Sequence, residues 1–185
     1  MSHKKKVAVL VGSLRKGSYN RQMALALMAL APESLEMQLV EIGDLPLYNP
    51  DLEDELPQSW AHFREQIREA DAVLFVTPEY NRSLPAALKN ALDVGSRPYG
   101  HSVWNEKPGG VVSVSTSALG GFGANHHLRQ STVFLNIPMM QQPEAYIGKA
   151  AEIFDEDGQI KSEDTRKFVQ HFINAYARWV KAHTS

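Results

Sequence analysis

Lys5-Lys-Val-Ala-Val-Leu-Val-Gly-Ser-Leu-Arg-Lys-Gly-Ser-Tyr-Asn20 is the stretch on which the reading of this chain turns. Residues 7–11 form an unbroken aliphatic run, the pattern of a parallel strand covered on both faces. A loop of hydroxyls, glycines and one arginine follows, and then a helix with apolar periodicity. In that order the backbone N–H groups of the loop and the positive end of the helix dipole converge on one point. Ser13, Ser18 and Asn20 can donate hydrogen bonds there, and Arg15 supplies a full charge. The dipole alone is worth ~0.5–2 kcal/mol in a partly buried site. The segment predicts a mononucleotide phosphate site; the competing reading is a plain helix N-cap with ordinary turn residues.

Two better-known phosphate loops do not fit. Gly12-x-x-x-x-Gly17-Ser18 has the Walker glycine spacing but lacks the lysine after Gly17, so nothing reaches the β- and γ-phosphates of a nucleoside triphosphate. A dinucleotide fingerprint requires Gly-x-Gly-x-x-Gly, and here Gly12 is followed by Ser13 and Leu14.

The 185 residues are expected to form one domain, 1–185, large enough for a substantial core. Hydrophobic (43%) and charged (22%) fractions are ordinary for a globular protein. A net charge of −2 gives no footprint for nucleic acid and no polybasic membrane anchor. Lys4-Lys5-Lys6 reads as a solvated strand edge. The chain has no cysteine, which removes disulfides, thiolate metal sites and cysteine nucleophiles. No apolar run approaches the roughly 18 residues of a membrane span, and residues 7–11 are too few for a signal-peptide core. The expectation is a cytoplasmic protein, in which the sequon Asn81-Arg-Ser83 carries no meaning.

Beyond the first helix, read over 19–31 and closed at Pro32, strand and helix patterns alternate. Residues 37–42 alternate as a second strand, and 43–57 form an irregular connection with Pro46, Pro50 and Pro57. A helix at 59–70 carries Trp60, Phe63, Ile67 and Ala70, and a third strand follows at 72–77. Next come a helix over 85–94, a strand at 111–114 after Lys107-Pro-Gly-Gly110, a helix at 124–134 and a short fifth strand at 137–140. An Asp155-Glu-Asp-Gly158 turn precedes the closing helix at 165–182. The predicted fold is a three-layer, doubly wound α/β domain with a five-stranded parallel sheet of order 2-1-3-4-5. Ligands of such sheets lie beyond the carboxyl ends of the strands. Those ends here are residues 12–20, 77–81 and 113–121, all polar and rich in Gly, Ser or Asn.

In the second of these loops Pro78 forces an extended start, Asn81 tolerates a left-handed conformation and Pro85 opens a helix. Backbone N–H groups in so tight a loop can face a planar heterocycle, with Tyr80 beside it. Other features carry no chemistry. His126-His127 point about 100° apart on a helix and cannot chelate one ion. Asp155-Glu-Asp-Gly158 has its glycine too early for a calcium loop. Ser113, Ser115 and Ser117 lie in no Gly-x-Ser-x-Gly elbow. Trp60, Trp104 and Trp179 read as core or interface fillers.

Gly12-Ser-Leu-Arg-Lys-Gly-Ser-Tyr-Asn20, Thr77-Pro-Glu-Tyr-Asn81 and Lys89-Asn-Ala-Leu-Asp93, in that order, resemble the NADPH-dependent FMN reductase family, which includes bacterial quinone, azo-dye and chromate reductases. The resemblance runs from Val7 to about Gly148 and implies a flavodoxin-like fold. It implies that Ser13, Arg15, Ser18, Tyr19 and Asn20 bind FMN around its phosphate. Pro78, Glu79, Tyr80 and Asn81 would line the isoalloxazine, mostly through backbone atoms, and Ser115, Thr116 and Ser117 would close its pyrimidine side. One departure is Val94-Gly95, where many relatives carry an aromatic residue near the dimer interface. Of the three tryptophans, Trp104, beside His101, is the one open to a second role, covering the flavin or packing a partner subunit.

The implied activity is two-electron transfer from NADPH or NADH through FMN to a small-molecule acceptor such as a quinone, in a homodimer or homotetramer, with no metal. The protein supplies binding and orientation rather than an acid or base. Two alternatives stand beside it: a flavodoxin-like electron carrier without nicotinamide turnover, against which Arg15 and the small net charge argue, and a redox-sensing module.

Overall fold

Alternation within the first strand, β1 (Lys5–Val11), sorts the chain into two cores. Val7, Val9 and Val11 face one side of the sheet, Ala8 and Leu10 the other, and all are buried. The computed structural model describes residues 4–184. β1 joins β2 (Leu35–Val40), β3 (Ala72–Thr77), β4 (Gly109–Val114) and β5 (Ala145–Ile147) in an all-parallel sheet of order β2-β1-β3-β4-β5. This is the flavodoxin-like topology expected from the sequence.

Right-handed crossovers then dictate the layers. The sheet grows one way from β1 to β2 and the other way afterwards. Helix α1 (Tyr19–Ala29) therefore packs on one face and α2 (Gln58–Glu69), α3 (Ala86–Gly95) and α4 (Phe122–Phe134) on the other. The short α5 (Ala150–Ile153) and the long α6 (Glu163–His183) complete the α1 face, where Phe172, Ile173 and Tyr176 of α6 reach the core. Each large apolar side chain buried this way contributes about 1.5–3 kcal/mol. Tyr176 also donates its hydroxyl to the Val73 carbonyl at 2.7 Å.

The boundaries shift where the ladder or a cap overrides local pattern. β2 ends at Val40, opposite Leu10, because β1 offers little ladder beyond that residue. α4 begins at Phe122, two residues early, since Gly121 adopts φ 74° as its N-cap. The fifth strand is the substantive correction. Residues 137–140, predicted as that strand, touch β4 at its first residue only: Gly109 N–H donates to the Pro138 carbonyl (3.0 Å) and Met140 N–H to the Gly109 carbonyl (2.8 Å). Pro138 and Pro143 lack the N–H a ladder needs, so the chain steps away and returns as β5 opposite Val112–Val114.

Of the two readings open for Trp104, core filler and cover over a flavin or partner, the core filler holds. It is wholly buried and out of reach of solvent, with its indole N–H on the Leu92 carbonyl (3.0 Å) and its ring against Phe63 and Phe75. Gly95 makes room for it, since a Cβ there would lie 2.5 Å from the indole nitrogen. Trp60 is likewise buried core, as expected, its indole N–H on the Pro46 carbonyl.

Candidate active site

Three loops meet beyond the carboxyl ends of the adjacent strands β1, β3 and β4. The first starts where Gly12 N–H donates to the Val76 carbonyl (2.9 Å). A Cβ on Gly12 would stand 3.0 Å from Pro85 Cγ and 3.2 Å from Pro78 Cδ, so the missing side chain is what lets the first and second loops approach. Ser18 caps α1 by accepting the Arg21 N–H at 3.2 Å and is buried. Among the described residues, the backbone N–H groups from Ser13 to Asn20 find no acceptor. That run of unused donors lies at a helix start that carries no acidic residue in its first turn.

The side chains of this loop are less uniform than the sequence implied. Ser13 and Arg15 line a 350 Å³ cavity on the β2 side, together with Arg21 and Glu41, which pair at 2.8 Å. Tyr19 turns the other way, stacking on Phe154 with centroids 6.3 Å apart, and Arg15 lies over its ring at 5.2 Å. Asn20 is buried and donates one side-chain N–H to the Val114 carbonyl (3.3 Å), tying α1 to the end of β4. Its Oδ1 has no partner among the described residues.

The second loop is a prefabricated hairpin. Tyr80 and Ser83 exchange N–H···O bonds of 2.9 Å each way around Asn81 (φ 51°) and Arg82 (φ 65°), as in a type I′ turn. Thr77 Oγ1 donates to the Pro78 carbonyl (2.8 Å), and Tyr80 stands half exposed. The Glu79 carboxylate turns toward α4, accepting the Ala124 N–H at 3.1 Å and pairing with Arg82 at 3.2 Å.

The third loop is pinned to β5 and α5. Ser115 N–H donates to the Ile147 carbonyl (2.9 Å) and its carbonyl accepts the Ala150 N–H (3.1 Å). Ser117 N–H donates to Ser115 Oγ (3.1 Å), while Thr116 and Ser117 remain exposed. Gly120 (φ 61°) rests on β5, where a Cβ would meet the Tyr146 carbonyl carbon at 2.6 Å. Below it, burial and Glu144 push the Tyr146 phenol up to about 12. Ser113 is a structural residue: its hydroxyl donates to the Ala145 carbonyl and accepts from Asn125 (both 3.3 Å).

Known proteins resemble this chain along nearly its whole length. Residues 5–152 match the family described as NADPH-dependent FMN reductase. A quinone reductase of Pseudomonas putida is 63% identical over 182 residues, spanning 98% of this chain and 97% of its own. A 2-hydroxy-1,4-benzoquinone reductase of Burkholderia sp is 49% identical over 176 residues, 95% and 96% of the two chains. The chain belongs to the NADPH-dependent FMN reductase family. Among solved structures, the flavoenzyme NAD(P)H:(acceptor) oxidoreductase FerB of Paracoccus denitrificans superposes with a TM-score of 0.93 at 43% identity, over 98% of this chain and 100% of that one.

An FMN reductase must seat a phosphate, a polyhydroxylated chain and a planar ring, and the residues present fit all three. The free N–H run and Arg15 suit a dianion. The unpartnered Asn20 Oδ1 suits a hydroxyl donor, because a buried acceptor left unmet costs about 1–3 kcal/mol. The rigid hairpin and the Ser115 loop suit a flat ring. Sequence reasoning missed the Glu79 carboxylate's turn toward α4, the left-handed Arg82, and buried Asn90, which holds the 43–57 connection by accepting the Tyr48 N–H (2.8 Å) and donating to Pro46 (3.0 Å). Only the last had a signal, lying within Lys89-Asn-Ala-Leu-Asp93. Among the described residues no cluster of three metal-ligating side chains occurs. His126 bonds Tyr146 (2.9 Å) and His127 bonds Ser83 (3.0 Å) instead.

Proposed function

We propose that this reductase carries two electrons from NAD(P)H to a quinone, the acceptor class in the names of its close relatives. Bound FMN supplies hydride acceptance and return; the chain's residues bind, orient and shield. Ser13, Arg15, Ser18 and the backbone N–H groups through Tyr19 and Asn20 hold the phosphate, with Asn20 Oδ1 left for a hydroxyl. The hairpin at Pro78, Glu79, Tyr80 and Asn81 lines one side of the ring, and Ser115, Thr116 and Ser117 the other, each placing preformed donors where negative charge develops. The observation that carries the reading is the unpartnered N–H run from Ser13 to Asn20 beside two rigid, ligand-ready loops. No side chain is assigned as acid or base, and an open site takes acceptor and nicotinamide in turn.

One domain does all of this, in the cytoplasm where NAD(P)H is held. No helix among the described residues is long and apolar enough to cross a membrane. A homodimer or homotetramer is proposed as the working form. Tyr99, Val133 and Phe134, each about four-fifths exposed, support it, with Tyr99 and Phe134 lining one 510 Å³ groove. Sedimentation velocity tests this directly, and a monomer at micromolar concentration removes it.

Anaerobic titration of the FMN-loaded protein with NADPH, followed by 1,4-benzoquinone, tests the function. Bleaching of the flavin band and its stoichiometric return on adding quinone are the expected result. A flavin that stays oxidised turns the reading to an electron carrier, and failure to retain FMN removes the phosphate-loop assignment.

A further inference from the structure

We infer that Glu79 is a positioning residue that joins the two ring-binding loops through its carboxylate, and that Ser83 and His127 complete the joint. The inference rests on the reading that the flavin ring lies between residues 77–83 and 115–121. α4 lacks a cap of its own: its N-cap is Gly121, no side chain of its own bonds its free N–H groups, and its first turn has no acidic residue. Glu79 fills that role from another loop. Its side chain is 12% exposed, with Oε2 on the Ala124 N–H (3.1 Å) and Oε1 on Arg82 (3.2 Å).

Gly123 shows that the fit is built rather than incidental. A Cβ there would lie 2.9 Å from Glu79 Oε2 and 2.8 Å from the Arg82 carbonyl oxygen, so the hairpin lies directly on the first turn of α4. One turn further on, His127 Nδ1 meets Ser83 Oγ at 3.0 Å and secures the hairpin's far strand. Gly121, at the end of the third loop, would bring a Cβ within 3.7 Å of Glu79 Cβ. The loop after β3 and the loop after β4 therefore move as one body. The carboxylate also fixes a negative charge at the seam, oriented by the helix dipole and Arg82.

A joint of this kind acts on ring orientation and on the flavin potential more than on phosphate affinity. The test compares wild type, Glu79→Gln, Glu79→Ala and His127→Ala as FMN-loaded protein. It reads the FMN dissociation constant, the visible flavin spectrum, the midpoint potential, and kcat and KM with NADPH and 1,4-benzoquinone. Glu79→Ala is expected to lower kcat about tenfold or more, to shift the spectrum and to raise the potential, while FMN affinity falls less than kcat. Glu79→Gln retains an acceptor for the Ala124 N–H and is expected to restore most of kcat but not the potential. His127→Ala, at an exposed position, is expected to fold normally and show the same kcat loss in smaller measure. If Glu79→Ala fails to fold, Glu79→Gln and His127→Ala decide the matter. Wild-type spectrum, potential and kcat in the variants that fold overturn the inference. A wild-type protein that neither retains FMN nor is reduced by NADPH overturns instead the functional reading beneath it.

Discussion

The loop after β1 and the pair of loops after β3 and β4 are built on opposite plans. In the first, backbone donors from Ser13 to Asn20 find no acceptor among the described residues, and Arg15 meets the Gly17 carbonyl (3.1 Å) and the face of Tyr19. In the second pair the groups that set the loop shape are committed, Tyr80 to Ser83, Glu79 to Ala124, Ser115 to Ile147 and Ala150, while among the described residues the N–H groups of Asn81 and Thr116 find no acceptor. Unspent donors give affinity to whatever arrives with negative charge. Committed donors give a fixed frame, which a planar ring needs if hydride is to pass at the right angle. On the proposed reading, the division separates retention of the cofactor from the geometry of its reaction.

Substitutions can break that contrast in graded steps. Gly120→Ala is the most severe, because the new methyl enters β5 backbone at a positive φ. A loss of about 3 kcal/mol in denaturant unfolding is expected, and an unchanged midpoint would show the third loop to be softer than its contacts imply. Asn81→Val places a β-branched residue at φ 51° and should cost about 1–2 kcal/mol, whereas Asn81→Gly should be near neutral. The readout is flavin reduction by NADPH, impaired in the valine variant only. Arg15→Ala works at the other end, leaving the exposed loop's stability unchanged and weakening FMN about tenfold, the equivalent of ~1.4 kcal/mol. Isothermal titration with FMN reads it, and an unaltered dissociation constant removes Arg15 from the phosphate site.

The smallest effect is alkaline. With its pKa near 12 rather than 10, folded Tyr146 keeps a proton that the unfolded chain has lost. This stabilisation is complete below pH 10 and declines between about pH 10 and 12. Thermal melts across that window should fall more steeply for wild type than for Tyr146→Phe. Equal slopes would mean the third loop's footing is indifferent to this phenol.

What the sequence made legible follows the same division. The proposed phosphate loop is local: a strand, a glycine, hydroxyls and a helix start are adjacent in the chain, so its pattern is visible without tertiary knowledge. The left-handed tolerance of Asn81 was legible for the same reason. The Glu79 link, by contrast, joins residues 45 apart and depends on Gly123 lacking a side chain, which no local pattern reports. The fifth strand was misplaced because residues 137–140 and 145–147 are equally apolar, and the choice between them is made by which one meets Val112–Val114. Trp104 was left open between core filler and flavin cover because a tryptophan within a polar loop gives no sign that a glycine one helix away has cleared a space for it.

Gly95 and Trp104 therefore carry a historical consequence. Neither position can change alone: a larger residue at 95 collides with the indole, and a smaller residue at 104 leaves a void against Phe63 and Phe75. Across a set of descendants the two sites should alter together, bulk moving from the loop to the helix in one exchange, so that their correlated substitution would mark a branch point within the lineage.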